Sequence, residues 1–311
     1  MAASFEGSRQ TSEIDLESLE RSLRQPRTLF SYLMSFVTGA MTILAMFPLF
    51  SVLYMLLIRG AARLSLATLT ALPPAAMTAG GGIGNALVGT LVIVAIATLI
   101  SIPLGILGAI FVSEFGPDTR TASAVRFSAK VLTGLPSILA GVFAFAIMVV
   151  TTGRFSAPAG GAALALLMLP TILLTADEAI KGVPSRMREA AIGMGATPTQ
   201  VVTRILVPTA APAMLTGVML AVARAAGETA PLLFTALFSQ FWISNTHPYF
   251  LPKTMADLMN PTASLAVMIY NFSGSPFENQ IALAWTAALV LVVLVLLFNV
   301  IGQALAGRST D

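Results

Sequence analysis

Six stretches of this 311-residue chain are apolar for long enough to cross a lipid bilayer, and that pattern constrains the fold more than any other feature. A spanning helix needs roughly 20 predominantly apolar residues. The runs cover residues 29–58, 83–112 (after the glycine run Gly80-Gly81-Gly82), 131–150, 160–176, 211–238 and 281–305. The first is too long for a signal peptide and follows 28 polar residues of mixed charge, so it counts as a membrane helix. Only 10% of the residues are Asp, Glu, Lys or Arg, whereas soluble domains carry roughly 25%. Such a chain cannot cover a water-facing surface, and lipid must be the solvent for much of it. The expected fold is an all-α integral membrane protein of six transmembrane helices. Residues 1–28 form a tail, 29–306 the transmembrane domain and 307–311 a second tail.

The net charge of +3 does not mark a nucleic-acid binder, because the bases are dispersed beside apolar spans. They read instead as topology determinants. Arg9, Arg21, Arg24 and Arg27 precede the first run, and Arg120, Arg126 and Lys130 lie between the second and third. Lys181, Arg186, Arg188 and Arg204 lie between the fourth and fifth, and Arg308 follows the sixth. The opposite side holds only Arg59, Arg63, Arg154 and Lys253. Cytoplasmic loops carry the excess of Lys and Arg, so both termini are expected in the cytoplasm. Trp242 and Trp285 then fall near the outer interface, where indole rings prefer to sit. In the N-terminal tail Leu16, Leu19 and Leu23 share a helical face, equally compatible with a short surface helix or a disordered leader. There is no cysteine and a single histidine, His247, so thiolate and multi-histidine metal sites are excluded.

Residues 183–208 are the most informative stretch. Pro184 suits a first helical turn, where no amide donor is needed, and Gly195 suits the left-handed position that ends a helix. Thr197-Pro198-Thr199-Gln200 reads as a capping box with proline at the first helical position. Two short helices joined by a sharp turn are expected, with Pro208 and Pro212 interrupting the chain as it enters the fifth run. Physical chemistry alone makes this a well-capped connector. The spacing adds more. Glu189-Ala190-Ala191, three residues, Gly195, nine residues and Ile205-Leu206-Val207-Pro208 resemble the EAA loop of ABC importer permeases. Val207, in place of leucine, is the one departure. The resemblance implies a MetI-like permease fold. It also implies that Glu189, Ala190, Ala191 and Gly195 belong to a helix-turn-helix that docks into a groove of a separate ATPase subunit. ATP and Mg would then bind that partner and no cofactor would bind this chain, which has no G-x-x-x-x-G-K-[ST] loop.

The fifth run contains Arg224 and Glu228, four residues apart and so on one helical face. Pro231 clashes with the carbonyl of Gly227 in a continuous helix, so a bend is expected. A charge at mid-bilayer costs at least about 2.5 kcal/mol on the insertion scale. The pair either neutralises itself against a neighbouring helix or forms an anion pathway, for which the planar donor fork of a guanidinium suits phosphate oxygens. Arg-Ala-x-Gly-Glu-Thr-Ala-Pro resembles the phosphate-specific permeases of the PstA and PstC type. Gly81-Gly82-Ile83-Gly84 with Leu87-Val88-Gly89-Thr90, Gly134-Leu135-Pro136-Ser137-Ile138 and Ile269-Tyr270-Asn271-Phe272 extend the likeness to the PstA type over residues 80–290. Ala176-Asp177-Glu178-Ala179 departs from the family's more usual Thr-x-Glu-Ala at the membrane edge.

The resemblance implies a substrate pathway lined by Arg224, Glu228, Thr229 and Ser137. The Gly134–Ser137 break is otherwise a packing kink. The implied assembly is a PstC-type second permease, a PstB-type ATPase dimer and a PstS-type phosphate-binding protein in the bacterial inner membrane. The loop at 239–280, with Phe241, Trp242, Tyr249 and Phe250, either receives the binding protein or caps the bundle, and Asn260-Pro261 marks a helix start there. Asp177 and Lys181 read as an ordinary i,i+4 pair. A permease for molybdate, tungstate or sulfate shares the coupling loop and differs only around Arg224. A secondary transporter leaves the EAA spacing unexplained, and a membrane enzyme lacks His-Glu-x-x-His and paired intramembrane aspartates.

Overall fold

The structure, a computed structural model, describes residues 26–244, 252 and 254–307. Expectations for residues 1–25, His247, Tyr249, Phe250, Lys253 and Arg308 lie outside the described residues. The described elements are all helical: α1 (Pro26–Ala61), α2 (Leu66–Thr70), α3 (Gly84–Ile110), α4 (Arg120–Thr133), α5 (Ser137–Ala144), α6 (Val150–Thr152), α7 (Ala157–Lys181), α8 (Ser185–Gly193), α9 (Pro198–Val201), α10 (Val207–Ala226), α11 (Ala230–Thr235), α12 (Met255–Leu258), α13 (Leu265–Ser273) and α14 (Glu278–Gly307). Three π turns interrupt them. Phe111–Phe115 extends α3, Phe145–Val149 joins α5 to α6, and Val202–Leu206 joins α9 to α10.

Five helical segments are long and apolar enough to span: Arg27–Ala61, Gly84–Phe115, Ala157–Lys181, Pro198–Ala226 and Glu278–Ala304. The sixth is a bent pair, Arg120–Thr133 followed by Ser137–Thr152 at 107°. The break expected at Gly134–Ser137 is there: α4 ends at Thr133, Pro136 precedes α5, and the third run, 131–150, is divided between the two helices. The fifth run is corrected. Pro208 falls just after the π turn Val202–Leu206, and both it and Pro212 are taken up inside a helical run that continues from α9. The second coupling helix thus passes through a π turn into the membrane without a break. The helix ends at Ala226 rather than near 238, with Gly227 at its C-cap.

Residues 26–54 of α1 form a unit of their own, a long helix whose apolar side chains are exposed. In the second unit α3 and α7 make the main packing pair. Ile93, Ala97, Leu164 and Ile172 are fully buried there, with Val218, Ala221, Val222 and Ala225 of α10 in the same cluster. Small residues set these approaches. A Cβ on Gly217 of α10 would lie 2.2 Å from the Thr175 hydroxyl of α7, and one on Gly141 of α5 would lie 2.5 Å from Cα of Pro231.

The segment after α11 returns to the bundle. Ser264 caps α13, so this helix starts at Leu265 and not at Asn260-Pro261. Leu265, Met268 and Phe272 are buried against Ile83, Ala86, Leu283 and Ala287. The Leu265 amide donates to Thr90 Oγ1 at 2.8 Å. At least this part of the 239–280 loop caps the bundle. Trp285 stacks under Arg59 at 5.4 Å, and Trp242 lies against Gly84 at the start of α3.

Because Gly141 touches backbone and not a movable side chain, Gly141→Leu must separate α5 from α11. Overpacking of this kind costs about 1–3 kcal/mol, and thermal unfolding of the detergent-purified protein should fall by several degrees relative to wild type.

Candidate functional site

The last turn of α10 carries Arg224, and the chain then leaves helical geometry at Gly227, Glu228 and Thr229 before α11 begins. The break closes tightly, with the Gly227 amide donating to the Arg224 carbonyl at 3.1 Å and the Glu228 amide to Ala225 at 3.2 Å. Pro231 falls in the first turn of α11, so the bend expected from its ring becomes a discontinuity one residue wider. Arg224 Nε lies 3.6 Å from Glu228 Oε1. The arginine also sits where the carbonyl end of the α10 dipole favours a cation.

The pair lies where the apolar segment Pro198–Ala226 ends, in the last turn of α10 and the break after it. Gly217 meets Thr175 across antiparallel helices, and Arg224 is seven residues, or about 10 Å, further along. That is level with Met168, at the centre of α7, and Met168 shares a buried cluster with Val222 and Ala225. More than half of the arginine side chain is open on this subunit. Its side chain is 56% exposed while Glu228 retains 17%. Ala213, Thr216, Leu220, Arg224 and Gly227 form one exposed stripe along α10, and the residues between them are mostly buried. Thr229 is half-buried within the break. Ser137 stands one turn before Gly141, on the helix that packs against Pro231, and is also half-buried. The sequence pattern thus brings Arg224, Glu228 and Thr229 together, with Ser137 on the adjoining helix.

The coupling stretch folds as its caps dictate. Gly195 has φ +87°, the left-handed conformation that lets the chain reverse after α8. Thr197 and Gln200 make the reciprocal capping box that starts α9. Glu189, Ala190 and Gly195 are exposed. Ala191 is turned inward, fully buried against Val201, Val202 and Leu206, so its small size serves the close approach of the two helices.

Two ionic contacts at this end carry no distinctive sequence pattern. Asp177, 5% exposed at its side chain, accepts from Arg126 Nε at 2.9 Å and Nη2 at 3.2 Å, and from Lys181 Nζ at 2.7 Å. The i,i+4 pair is thus part of a three-residue node that fastens α4 to α7. Arg126 also donates to the carbonyls of Val112 at 2.5 Å and Pro117 at 3.2 Å. Glu114, in the π turn after α3, accepts from Arg188 Nη2 of α8 at 2.5 Å. Among the described residues no group of three or more His, Cys, Asp and Glu side chains could hold a metal ion.

Residues 101–310 match the family described as binding-protein-dependent transport system inner membrane component. The chain is 37% identical to a phosphate transport system permease protein PstA of Yersinia pestis, over 87% of this chain and 88% of that one. It is 39% identical to that of Haemophilus influenzae, over 83% and 87%. A probable counterpart in Methanocaldococcus jannaschii is 34% identical over 84% and 88%. The fold is shared with a chain of the MetNI methionine ABC transporter in an inward-facing conformation, at TM-score 0.54 and 22% identity over 74% of this chain and 95% of that one. A chain of a bacterial alginate ABC transporter is also alike in fold, at TM-score 0.62 and 14% identity over 92% and 98%.

Removing one partner of a buried ion pair costs about 3–5 kcal/mol because the other charge is left behind. Asp177→Ala should therefore lower the melting temperature of the purified protein markedly. Asp177→Asn, which still accepts from Arg126, should lower it less.

Proposed function

The chain belongs to the binding-protein-dependent transport permeases, on the branch of the PstA phosphate permeases, and from that premise we propose that Arg224, Glu228 and Thr229 line the route along which it passes inorganic phosphate. The protein is the transmembrane permease subunit of an ATP-driven phosphate importer. The observation that carries the site is the exposed guanidinium of Arg224 at the break after α10, held 3.6 Å from Glu228. Irregular backbone at membrane depth is tolerated where it is buried in protein or lines a wet cavity. Intramembrane charges mark ion pathways by default.

The chemistry follows from the two charges. An empty pathway leaves Arg224 paired to Glu228, which offsets the cost of a charge in the membrane. An arriving phosphate offers more oxygens in a geometry that the guanidinium fork matches. Glu228 then accepts a hydrogen bond from a protonated phosphate oxygen. Ser137, on the adjoining helix, adds a hydroxyl donor to the same route. The phosphate names of the relatives favour this substrate over molybdate, tungstate or sulfate.

The full assembly in this reading contains a PstC-type second permease, two PstB-type ATPase subunits that hold ATP and Mg, and a PstS-type binding protein. Glu189, Ala190, Ala191 and Gly195 belong to the element that meets the ATPase, and Glu189 and Ala190 are exposed as that contact requires. The two permeases alternate between inward- and outward-open forms as the ATPases close and separate. The protein lies in the bacterial inner membrane with both termini in the cytoplasm. The distribution of Lys and Arg supports this orientation. A fluorescent reporter that matures only in the cytoplasm should light up when fused after Asp311, and a dark fusion present at normal levels would contradict the orientation.

A hydrogen bond to a charged group contributes about 1.5–3 kcal/mol. Arg224→Ala should therefore cut phosphate uptake by about 10- to 100-fold in ATP-loaded proteoliposomes of the whole complex. Co-purification with the partners should be unchanged. Undiminished phosphate uptake by the assembled variant would remove Arg224 from the pathway, and stronger uptake of molybdate than phosphate by the wild type would overturn the substrate.

A further inference from the structure

The inner end of α3 is gripped from two sides within three residues. Arg126 of α4 donates to the Val112 carbonyl at 2.5 Å and is itself anchored to Asp177 of α7. Arg188 of α8 pairs with Glu114 at 2.5 Å. Both contacts fall in the π turn Phe111–Phe115, a geometry with one residue more per turn than the α-helix it interrupts. Single π turns inside α-helices are frequent at functional positions. The extra residue brings the Glu114 carboxylate under α8, where its side chain is only 9% exposed.

The rest of α8 adheres to the bundle through apolar contact near its end, Ala191 being packed on the Val202–Leu206 turn with Ile110 and Val183 beside it. That contact joins α8 to the turn leading into α10 and touches the end of α3 only through Ile110. Arg188 adds a direct ionic contact from α8 to the π turn that extends α3. Arg188 Nε is buried and has no hydrogen-bond partner, so Glu114 is the anchor of this guanidinium within the chain. It stands beside the exposed Glu189 and Ala190, the residues at which the ATPase is proposed to press.

We propose that the Glu114–Arg188 pair is a coupling latch: it carries displacement of α8 by the ATPase into the inner end of α3, and so into the helix pair α3 and α7 against which the Arg224 segment packs. The proposal rests on the importer reading above. Arg188 and Glu114 are positioning residues that touch neither phosphate nor nucleotide. A pair that merely stabilised the fold would lower hydrolysis and uptake together. A latch sets their ratio. Without it the ATPases still cycle, but α3 follows them poorly.

The test uses the whole complex in proteoliposomes and reads ATP hydrolysed per phosphate imported. Coupling free energies between sites commonly correspond to factors of about 5 to 150. Arg188→Ala is expected to raise that ratio about tenfold, with binding-protein-stimulated hydrolysis largely kept. The exchanged pair Glu114→Arg with Arg188→Glu is expected to bring the ratio back toward wild type. An unchanged ratio in Arg188→Ala overturns the latch. So does an exchanged pair no better coupled than Arg188→Ala. Should Arg188→Ala fail to assemble, Glu114→Gln is read in its place, and a wild-type ratio there overturns the proposal equally. Wild-type complex that fails to import phosphate defeats the importer reading instead, which keeps the two failures distinct.

Discussion

A bilayer core offers a backbone amide no water to bond with, so each departure from helical geometry at membrane depth needs a local remedy. This constraint organises the second unit. The break between α4 and α5 is made at Pro136, which has no amide to satisfy, while Gly134 donates back to Val131. The break between α10 and α11 is closed by Gly227 and Glu228 donating into the last turn of α10. The two breaks are neighbours, since Gly141 of α5 sits on Pro231 of α11. The helix that follows the first break thus packs on the helix that follows the second, and the second break carries the Arg224–Glu228 pair.

The opposite solution appears at the end of the bundle that carries α8 and α9. Here the chain keeps its helices and concentrates its ionic contacts. Asp177 is nearly buried, and a lone carboxylate there would be expensive; two bonds from Arg126 and one from Lys181 offset the desolvation. Because Arg126 belongs to α4, the same contact holds α4 at its steep angle to α5 and keeps its bases away from lipid. Arg126 in turn reaches the Val112 carbonyl, freed from regular helical bonding near the π turn. The node therefore fixes three elements relative to one another, which a surface i,i+4 pair cannot do.

The number and order of the spans were legible in the sequence because lipid demands length and apolarity, and both survive without tertiary information. The coupling stretch was legible for a different reason: Pro184, Gly195 and the Thr197–Gln200 box are local devices whose geometry is written in adjacent residues. The errors share one cause. Pro208 and Pro212 were expected to interrupt the chain, but both are taken up inside the helical run from α9 through α10. Local rules cannot tell which case applies when the preceding helix is continuous. Asp177 and Glu114 were undervalued because their partners, Arg126 and Arg188, lie 51 and 74 residues away. Charge pairing across such separations follows from packing, and no spacing announces it. The burial of Ala191 was hidden likewise, since a small residue in a motif fits an internal contact as well as an external one.

The register between α7 and α10 ties the two ends together. Thr175 faces Gly217 with no room for a side chain on the latter, so the helices cannot slide past each other without separating. The first segment of the second coupling helix, from Pro198, is continuous with α10, which makes α9, the π turn and α10 one rod whose far end is the Arg224 break. A push at α8 thus has two routes inward: through Ala191 into this rod, and through Arg188 into α3. Both end at the α3–α7–α10 cluster around Met168, directly beside the level of Arg224. The ionic node and α8 thus lie at one end of α10 and the Arg224–Glu228 pair at the other: the first anchors α7, and the second sits where the rod loses its helical continuity.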